Sequence, residues 1–214
     1  MNHPTLAGTI LDRYYHVCAL FNSRDEEYAV LGPFFKEGLE WGEKEMHIVD
    51  PALIDDHVAR LEAHGIAASA CIACEQLQIL PWDEAYLAGG SFDQDRMLET
   101  VESLVTAGRD AGYPRLRIMG NMGWALDGVP DSERLIEYEA RVNDVLARNR
   151  QPAICVYDMA HLSGSMMMDI LRSHPLTLVA GVVNENPFYT PPDMLLPQLR
   201  ARARARGNAH ATAH

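Results

Sequence analysis

Tyr14-Tyr15-His16-Val17-Cys18-Ala19-Leu20-Phe21-Asn22-Ser23-Arg24-Asp25-Glu26 is the stretch that decides the fold class of this chain. Residues 14–21 are rich in aromatic and apolar side chains and read as a buried strand. Ser23 followed by Glu26 has the spacing of a capping box, so a helix starts directly behind that strand. The helix carries Tyr28, Leu31, Phe34, Phe35 and Leu39 at helical spacing; Pro33 is a point where it can bend, and Gly42 closes it. A phosphate-binding loop between strand and helix would need glycines, so that backbone N–H groups can approach the phosphate, and a lysine before the helix. Neither is present, and the whole chain holds two lysines, Lys36 and Lys44. The segment is also acidic, so nucleotide hydrolysis by the usual mechanism is not expected.

Working outward, apolar runs and helical patterns alternate. A second strand is expected over 45–49. Asp50-Pro51 then opens a helix with Leu53, Ile54, His57, Val58 and Leu61 inward and Gly65 at its end. Residues 67–80 are apolar and read as a strand near 70–74 and an extended piece near 76–80. A loop over 81–91 precedes a helix over 92–111. Strands follow at 116–119 and 153–157, separated by a helix that Asp131 or Ser132 caps and that runs to about residue 148. A helix over 163–173 and one or two strands over 176–183 complete the pattern. Alternation of this kind predicts an α/β fold, a single-domain three-layer sandwich with a mainly parallel central sheet. Residues 1–13 form an N-terminal extension, 14–192 the body, and 193–214 an Arg/Ala-rich tail. The tail is expected to be a frayed helix or disordered end rather than a nucleic-acid arm.

Charge and composition narrow the partners. The chain has 214 residues and a net charge of 18 − 30 = −12, with 48% apolar and 22% charged residues. An average field of that sign repels nucleic acid and anionic membranes, so no direct nucleic-acid binding and no membrane partner are expected. No apolar run approaches the ~20 residues of a membrane helix, and no secretory pattern opens the chain, so the expected location is the cytoplasm. The four cysteines, Cys18, Cys71, Cys74 and Cys155, are expected to be free thiols there. Cys71 and Cys74 have metal or redox spacing, but no second ligand pair follows, and two small buried residues in or near a strand is the favoured reading.

Ligands of open α/β sheets bind beyond the carboxyl ends of the strands, which directs attention to three places. The first strand ends at Asn22, Ser23 and Arg24. The fourth leads through Gly120-Asn121-Met122-Gly123 to Trp124, where an amide and an indole offer a hydrogen bond and an apolar wall. The fifth ends at Tyr157, Asp158 and, three residues on, His161; Asp158 reads as a helix cap before it reads as an acid–base partner of His161. Glu139 lies on the inner stripe defined by Leu135, Tyr138, Val142 and Leu146, so its carboxylate must be paired or protonated. Arg117 on the neighbouring strand is the candidate partner. His16 and Cys18 share one strand face, with His47 as a possible third member of a metal or ligand group. Met159, Met166, Met167 and Met168 suggest an adaptable apolar surface at the last helix.

Several blocks, taken together and in order, resemble a known family. These are Tyr15 to Phe21, Pro33-Phe34-Phe35-Lys36-Glu37-Gly38-Leu39-Glu40-Trp41-Gly42-Glu43, Tyr138-Glu139-Ala140-Arg141-Val142-Asn143, Cys155-Val156-Tyr157-Asp158 and Asn186-Pro187-Phe188-Tyr189. They resemble the MEDS domain, a sensory domain named for methanogen and methylotroph proteins, among them a repressor of dichloromethane metabolism. Residues 35–43 are also similar to the helix after the phosphate loop in KaiC- and RecA-like ATPases. The resemblance implies a RecA/KaiC-like fold without a phosphate-binding loop and a sensor of small organic molecules, such as hydrocarbon derivatives, that controls transcription or signalling.

The reading is therefore a non-enzymatic sensor that takes a small organic ligand at the carboxyl edge of the sheet. Asn22, Ser23 and Arg24 line one side and Asn121, Trp124, Tyr157 and Asp158 the other, with Arg117 and Glu139 beneath and His16 and Cys18 as secondary candidates. No cofactor or metal is expected; a protein partner in regulation is, and a homo-oligomer is left open. Two alternatives stand beside it: a metal-dependent enzyme using His16, Cys18, Glu139 or Asp158, and an interaction module using the Met-rich helix and residues 186–192.

Overall fold

Most places where branched and aromatic residues run together in this sequence are strands of one sheet. The computed structural model describes residues 2–126 and 134–211, with side chains described to residue 205. A short hairpin, β1 (Thr5–Leu6) and β2 (Thr9–Ile10), opens the chain. Its turn uses Ala7 and Gly8 at positive φ, as the tightest hairpin turns require. Leu6 and Leu11 are buried in the core and anchor the hairpin to the body.

β3 (His16–Phe21), β4 (Lys44–Val49), β5 (Leu77–Pro81), β6 (Leu116–Asn121), β7 (Ala153–Asp158), β8 (Leu176–Val179) and β9 (Val182–Glu185) form a sheet in the order β5-β4-β6-β7-β3-β8-β9. The strands run parallel except β9, which returns antiparallel beside β8. Parallel strands need crossover helices, and these cover both faces. α1 (Arg24–Glu40), α2 (Ile54–Ala63) and α3 (Ala68–Ala73) bring their apolar sides to one face, where Tyr28, Leu31, Phe34, Phe35 and Leu61 meet Val17, Ala19 and Phe21. α4 (Trp82–Ala85), α5 (Gln94–Asp110), α6 (Leu135–Asn149), α7 (Gly164–Ser173) and α8 (Pro192–Ala211) cover the other. There Val101, Tyr138, Val142 and Ile170 meet Cys18, Leu20, Ile118 and Tyr157. The three-layer α/β sandwich with a mainly parallel sheet is the expected architecture.

Local differences have physical causes. α1 runs through Pro33 without a break, held by burial of Phe34 and Phe35 on either side of its stripe. The expected strand near 70–74 is instead helix α3, because β4 already has its outer neighbour in β5 and no further strand is paired there. Cys71 is half-buried and Cys74 exposed at the end of α3, so neither is the buried strand residue expected. The helix expected over 92–111 runs as α5 over Gln94–Asp110, with Asp93 as its cap accepting from the backbone N–H groups of Asp95 and Arg96. The expected cap at Asp131 or Ser132 lies outside the described residues. The Arg/Ala-rich segment forms α8: Leu195 and Leu199 are buried, Arg200 pairs with Glu137, and Arg202 with Asp169. Among the described residues, no helix is long and apolar enough to cross a membrane.

Candidate functional site

At the carboxyl edge of the sheet, β3, β6 and β7 end side by side around a cleft of about 270 Å³. Its walls include Ser23, Arg24 and Glu27 from the β3–α1 junction, Asn121 and Trp124 after β6, and Tyr157, Asp158 and His161 from the end of β7. Trp82 and Leu53 close the third side. Each wall is braced locally. Ser23 caps α1 by accepting from the backbone N–H of Glu26 at 3.2 Å. Asn121 Oδ1 accepts from Gly123 N–H at 3.0 Å, and Asp158 Oδ1 accepts from Ala160 N–H at 2.8 Å. The indole of Trp124 stacks on Tyr86 at 5.1 Å and packs against Phe92 at 5.0 Å. Its Nε1 is buried and has no hydrogen-bond partner among the described residues. Burial pushes the Glu27 carboxyl up to about 7; Arg24 and Arg60 oppose that rise, and Asp158 adds to it.

On the α6 side of the sheet is a second polar group, with all its members buried. Glu139, His16, Cys155 and His174 converge there, all buried. Glu139 Oε2 lies 3.1 Å from His16 Nε2, 3.6 Å from Cys155 Sγ and 3.5 Å from His174 Nε2. Its other oxygen, Oε1, accepts from the Tyr157 hydroxyl at 3.2 Å. Burial pushes the Glu139 carboxyl up, but the hydrogen bonds and charge of His16, His174 and Tyr157 outweigh it and hold it below its ordinary value. Burial lowers His174 to about 3, with His16 adding to the effect.

The opposite face of the sheet carries two further polar groups. Arg117 donates to Glu43 at 2.6 Å, to the Phe34 carbonyl at 2.5 Å and to Glu37 at 2.9 Å, while Arg115 donates to the other oxygen of Glu43 at 2.6 Å. Beside it, a line of side chains leads from the interior to the cleft. Glu45 approaches His47 at 3.2 Å, His47 Nδ1 is 2.9 Å from His57 Nε2, and His57 Nδ1 bonds the Tyr28 hydroxyl, which accepts from Arg24 at 3.1 Å. Burial, with His57 beside it, keeps His47 well below its ordinary value; burial followed by the Arg24 charge brings His57 to about 4. Burial raises Glu45 well above the usual carboxylate range, Arg117 only partly offsetting it.

Of the eleven residues singled out from sequence, Ser23, Arg24, Asn121, Trp124, Tyr157 and Asp158 meet in the cleft. Asn22 turns away, its backbone N–H and side-chain amide both bonded to Glu26. Arg117 does not support the site or pair with Glu139. It lies near the amino end of β6 and faces α1, with the sheet between it and α6. Glu139 finds histidines instead of an arginine. His16 and Cys18 do share the α6-facing side of β3, but His47 cannot join them: β6 and β7 lie between β3 and β4, and His47 packs on Phe35 on the other face. Asp158, at the exposed strand end, is not part of the His16–Glu139 group.

Comparisons with known proteins fit this geometry. The family described as MEDS, the MEthanogen/methylotroph, DcmR Sensory domain, matches residues 15–175. The chain belongs to the MEDS family. A curated relative, the transcriptional repressor DcmR of Methylorubrum extorquens, is 23% identical over 172 residues, 79% of this chain, and the match spans 61% of that protein's length. Among solved structures, a KaiC-like protein from Pyrococcus horikoshii OT3 is similar with a TM-score of 0.58 at 13% identity, over 83% of this chain and 78% of that one. The flagellar accessory protein FlaH from Methanocaldococcus jannaschii gives 0.54 at 11% identity, over 83% and 78%. These likenesses show a KaiC/RecA-like fold. In this MEDS chain, the junction after β3 is only Asn22 and Ser23, and the first turn of α1 holds Asp25, Glu26 and Glu27. Carboxylates there repel an anionic phosphate from the helix N-terminus.

Sequence reasoning missed Glu27, Trp82, Cys155 and His174 as site members. Cys155 had a signal: it lies two residues before Tyr157 on one strand, hence on the same face. His174 had none, because the link between α7 and β8 carries no periodicity and only the packing of α7 on α6 turns its ring inward.

Proposed function

We propose that this MEDS chain is a sensor that takes a small, weakly polar organic molecule, of the hydrocarbon-derivative class, in the cleft at the carboxyl ends of β3, β6 and β7. Occupancy is relayed to a regulatory protein partner. The observation that carries the reading is Trp124: a large apolar ring in the cleft wall, held from behind by Tyr86 and Phe92, with a buried N–H that lacks a partner among the described residues. A ligand offering an acceptor and an apolar body satisfies both ends of that side chain. Ser23, Arg24, Asn121, Tyr157 and Asp158 shape the remaining walls, and beside them Glu27 is a carboxyl that burial raises to about 7. The sensory family and the repressor relative support a regulatory role. The relay requires that ligand binding favour one arrangement of these loops over another.

Tryptophan fluorescence and thermal melting of the full chain, titrated with short haloalkanes, alcohols and ketones, test this. At least one class is expected to raise the melting temperature and quench emission, with both responses lost in Trp124→Phe. ATP is expected to do neither. Absence of any response across the panel, or a response that Trp124→Phe leaves intact, refutes the reading.

A further inference from the structure

We propose that His16, Glu139, Cys155 and His174 form a four-ligand site for a zinc-class divalent metal in the interior of this domain, a site that does not depend on the ligand reading above. The argument begins with distances. The four donor atoms all lie within 4.8 Å of one another. His16 Nε2 is 3.1 Å from Glu139 Oε2 and 3.3 Å from Cys155 Sγ. Glu139 Oε2 is in turn 3.6 Å from Cys155 Sγ and 3.5 Å from His174 Nε2. Ligands held tetrahedrally at zinc bond lengths of about 2.0–2.3 Å are separated from one another by about 3.3–3.8 Å. Four of the six donor separations therefore already lie near the edge length of such a tetrahedron.

The outer partners set both imidazoles for ligation. The Asn143 side-chain amide donates to the carbonyls of Glu139 at 2.8 Å and Ser173 at 2.8 Å, which fixes its oxygen as the group facing His16. That oxygen is 3.2 Å from His16 Nδ1, so Nδ1 carries a proton, and Nε2, which faces Glu139 Oε2, is the nitrogen that turns its lone pair to a metal once the proton it shares with that carboxylate is displaced. His174 Nδ1 lies 2.8 Å from the Ile170 carbonyl, an acceptor, which leaves its Nε2 without a proton; that atom is buried with no hydrogen-bond partner among the described residues. Orientation of a ligating histidine through its other nitrogen is the usual second layer of a metal site. Glu139 is steadied in the same way by Tyr157.

Charge selects the metal class. Two neutral imidazoles, one carboxylate and one thiolate carry −2, which a divalent ion cancels, so the interior is left with no net charge to solvate. The donor set of two nitrogens, one oxygen and one sulfur suits zinc and disfavours the all-oxygen preference of magnesium or calcium. Binding displaces two protons, the Cys155 thiol proton and the one shared by His16 Nε2 and Glu139 Oε2; both leave to solvent, and no electron is transferred. Four protein ligands close the coordination sphere, so the metal's role is structural. It ties β3, β7, α6 and the α7–β8 link together on the α6 side of the sheet, and it revises the expectation that no metal is bound.

Zinc and cobalt(II) titrations of the chelator-treated full chain test the site. One metal per chain is expected, with a higher melting temperature and, for cobalt, a thiolate charge-transfer band. X-ray absorption of the zinc-loaded wild type is expected to give one sulfur at about 2.3 Å and three nitrogen or oxygen atoms at about 2.0–2.1 Å. Cys155→Ala and His174→Ala each abolish stoichiometric binding, while Cys71→Ser/Cys74→Ser retains it. Asn143→Ala weakens zinc about 10- to 100-fold. If Cys155→Ala does not fold, the wild-type sulfur count and the Cys71→Ser/Cys74→Ser titration decide the matter. A folded wild type that takes up no metal, two sulfurs in the zinc shell, or binding that survives loss of Cys155 and His174 overturns the proposal.

Discussion

The Tyr157 hydroxyl donates to Glu139 Oε1 at 3.2 Å, and this one hydrogen bond joins the cleft at the strand ends to the buried polar cluster on α6. Tyr157 belongs to the wall of the first and Glu139 to the centre of the second. Both side chains are fully buried, so neither has water as a substitute partner.

Removing that hydroxyl should therefore be felt in stability. Tyr157→Phe is expected to cost about 1–3 kcal/mol, the penalty of leaving a buried acceptor short of a donor. Urea denaturation followed by circular dichroism measures it. A change within about 0.5 kcal/mol, the range of surface substitutions, would show that Glu139 Oε1 does not depend on Tyr157.

Gly38 is the tightest approach of α1 to the sheet's polar face. A Cβ there would lie 2.5 Å from Glu45 Oε1 and 2.6 Å from Arg117 Nε, both immobilised by burial. Gly38→Ala is expected to destabilise by about 1–3 kcal/mol or more. Gly108→Ala in α5 is the control: nothing lies within 4 Å of its Cβ position, and the gain in helix propensity is expected to stabilise by about 0.4–1 kcal/mol. Equal effects at the two positions would mean that Glu45 and Arg117 yield freely.

Glu43 accepts from two buried guanidiniums, Arg115 and Arg117. Glu43→Ala leaves both short of their carboxylate, and a loss of about 3–5 kcal/mol is expected. Adding Arg117→Met should cost less than the sum of the two single changes, a non-additivity that a double-mutant cycle reads. Simple additivity would show the pair to be uncoupled.

Glu27 gives the cleft a pH dependence. Its carboxyl rises from an ordinary 4.5 to about 7 in the fold, chiefly through burial. The folded state thus holds a proton that the unfolded state has released, so this contribution is full below pH 4.5 and is lost as the pH rises through about 7. His57, lowered to about 4, works in the opposite sense: its contribution is full above pH 6.5 and is lost as the pH falls through about 4. Glu27→Gln keeps the neutral state at every pH. Its stability relative to wild type should be near zero at pH 4.5 and reach up to about 3 kcal/mol in favour of the variant at pH 8, at about 1.36 kcal/mol per pKa unit. Chemical denaturation at a series of pH values measures this, and a pH-independent difference would rule it out.

The strand–cap–helix reading of residues 16–26, the alternation that followed it, and six of the cleft residues were legible because each depends on neighbours in sequence. A capping box, an apolar period and a strand end are local patterns. The stretch at 70–74 failed for a matching reason. Apolar residues without a clear period fit helix and strand alike, and the choice fell to a sheet edge already completed by β5.

Local pattern settles the fold class, the lack of glycine and lysine at the junction after β3 and the burial of Glu139, because periodicity fixes which face a side chain occupies. Which side chains meet across the sheet is set by strand order and helix packing. Strand order put β6 and β7 between His16 and His47, and turned Arg117 towards Glu43. The packing of α6 and α7 over β3 and β7 brought His174 and Cys155 to Glu139. Long-range pairing is settled by the joint burial of whole elements, and no stretch of sequence short enough to have a period carries that information.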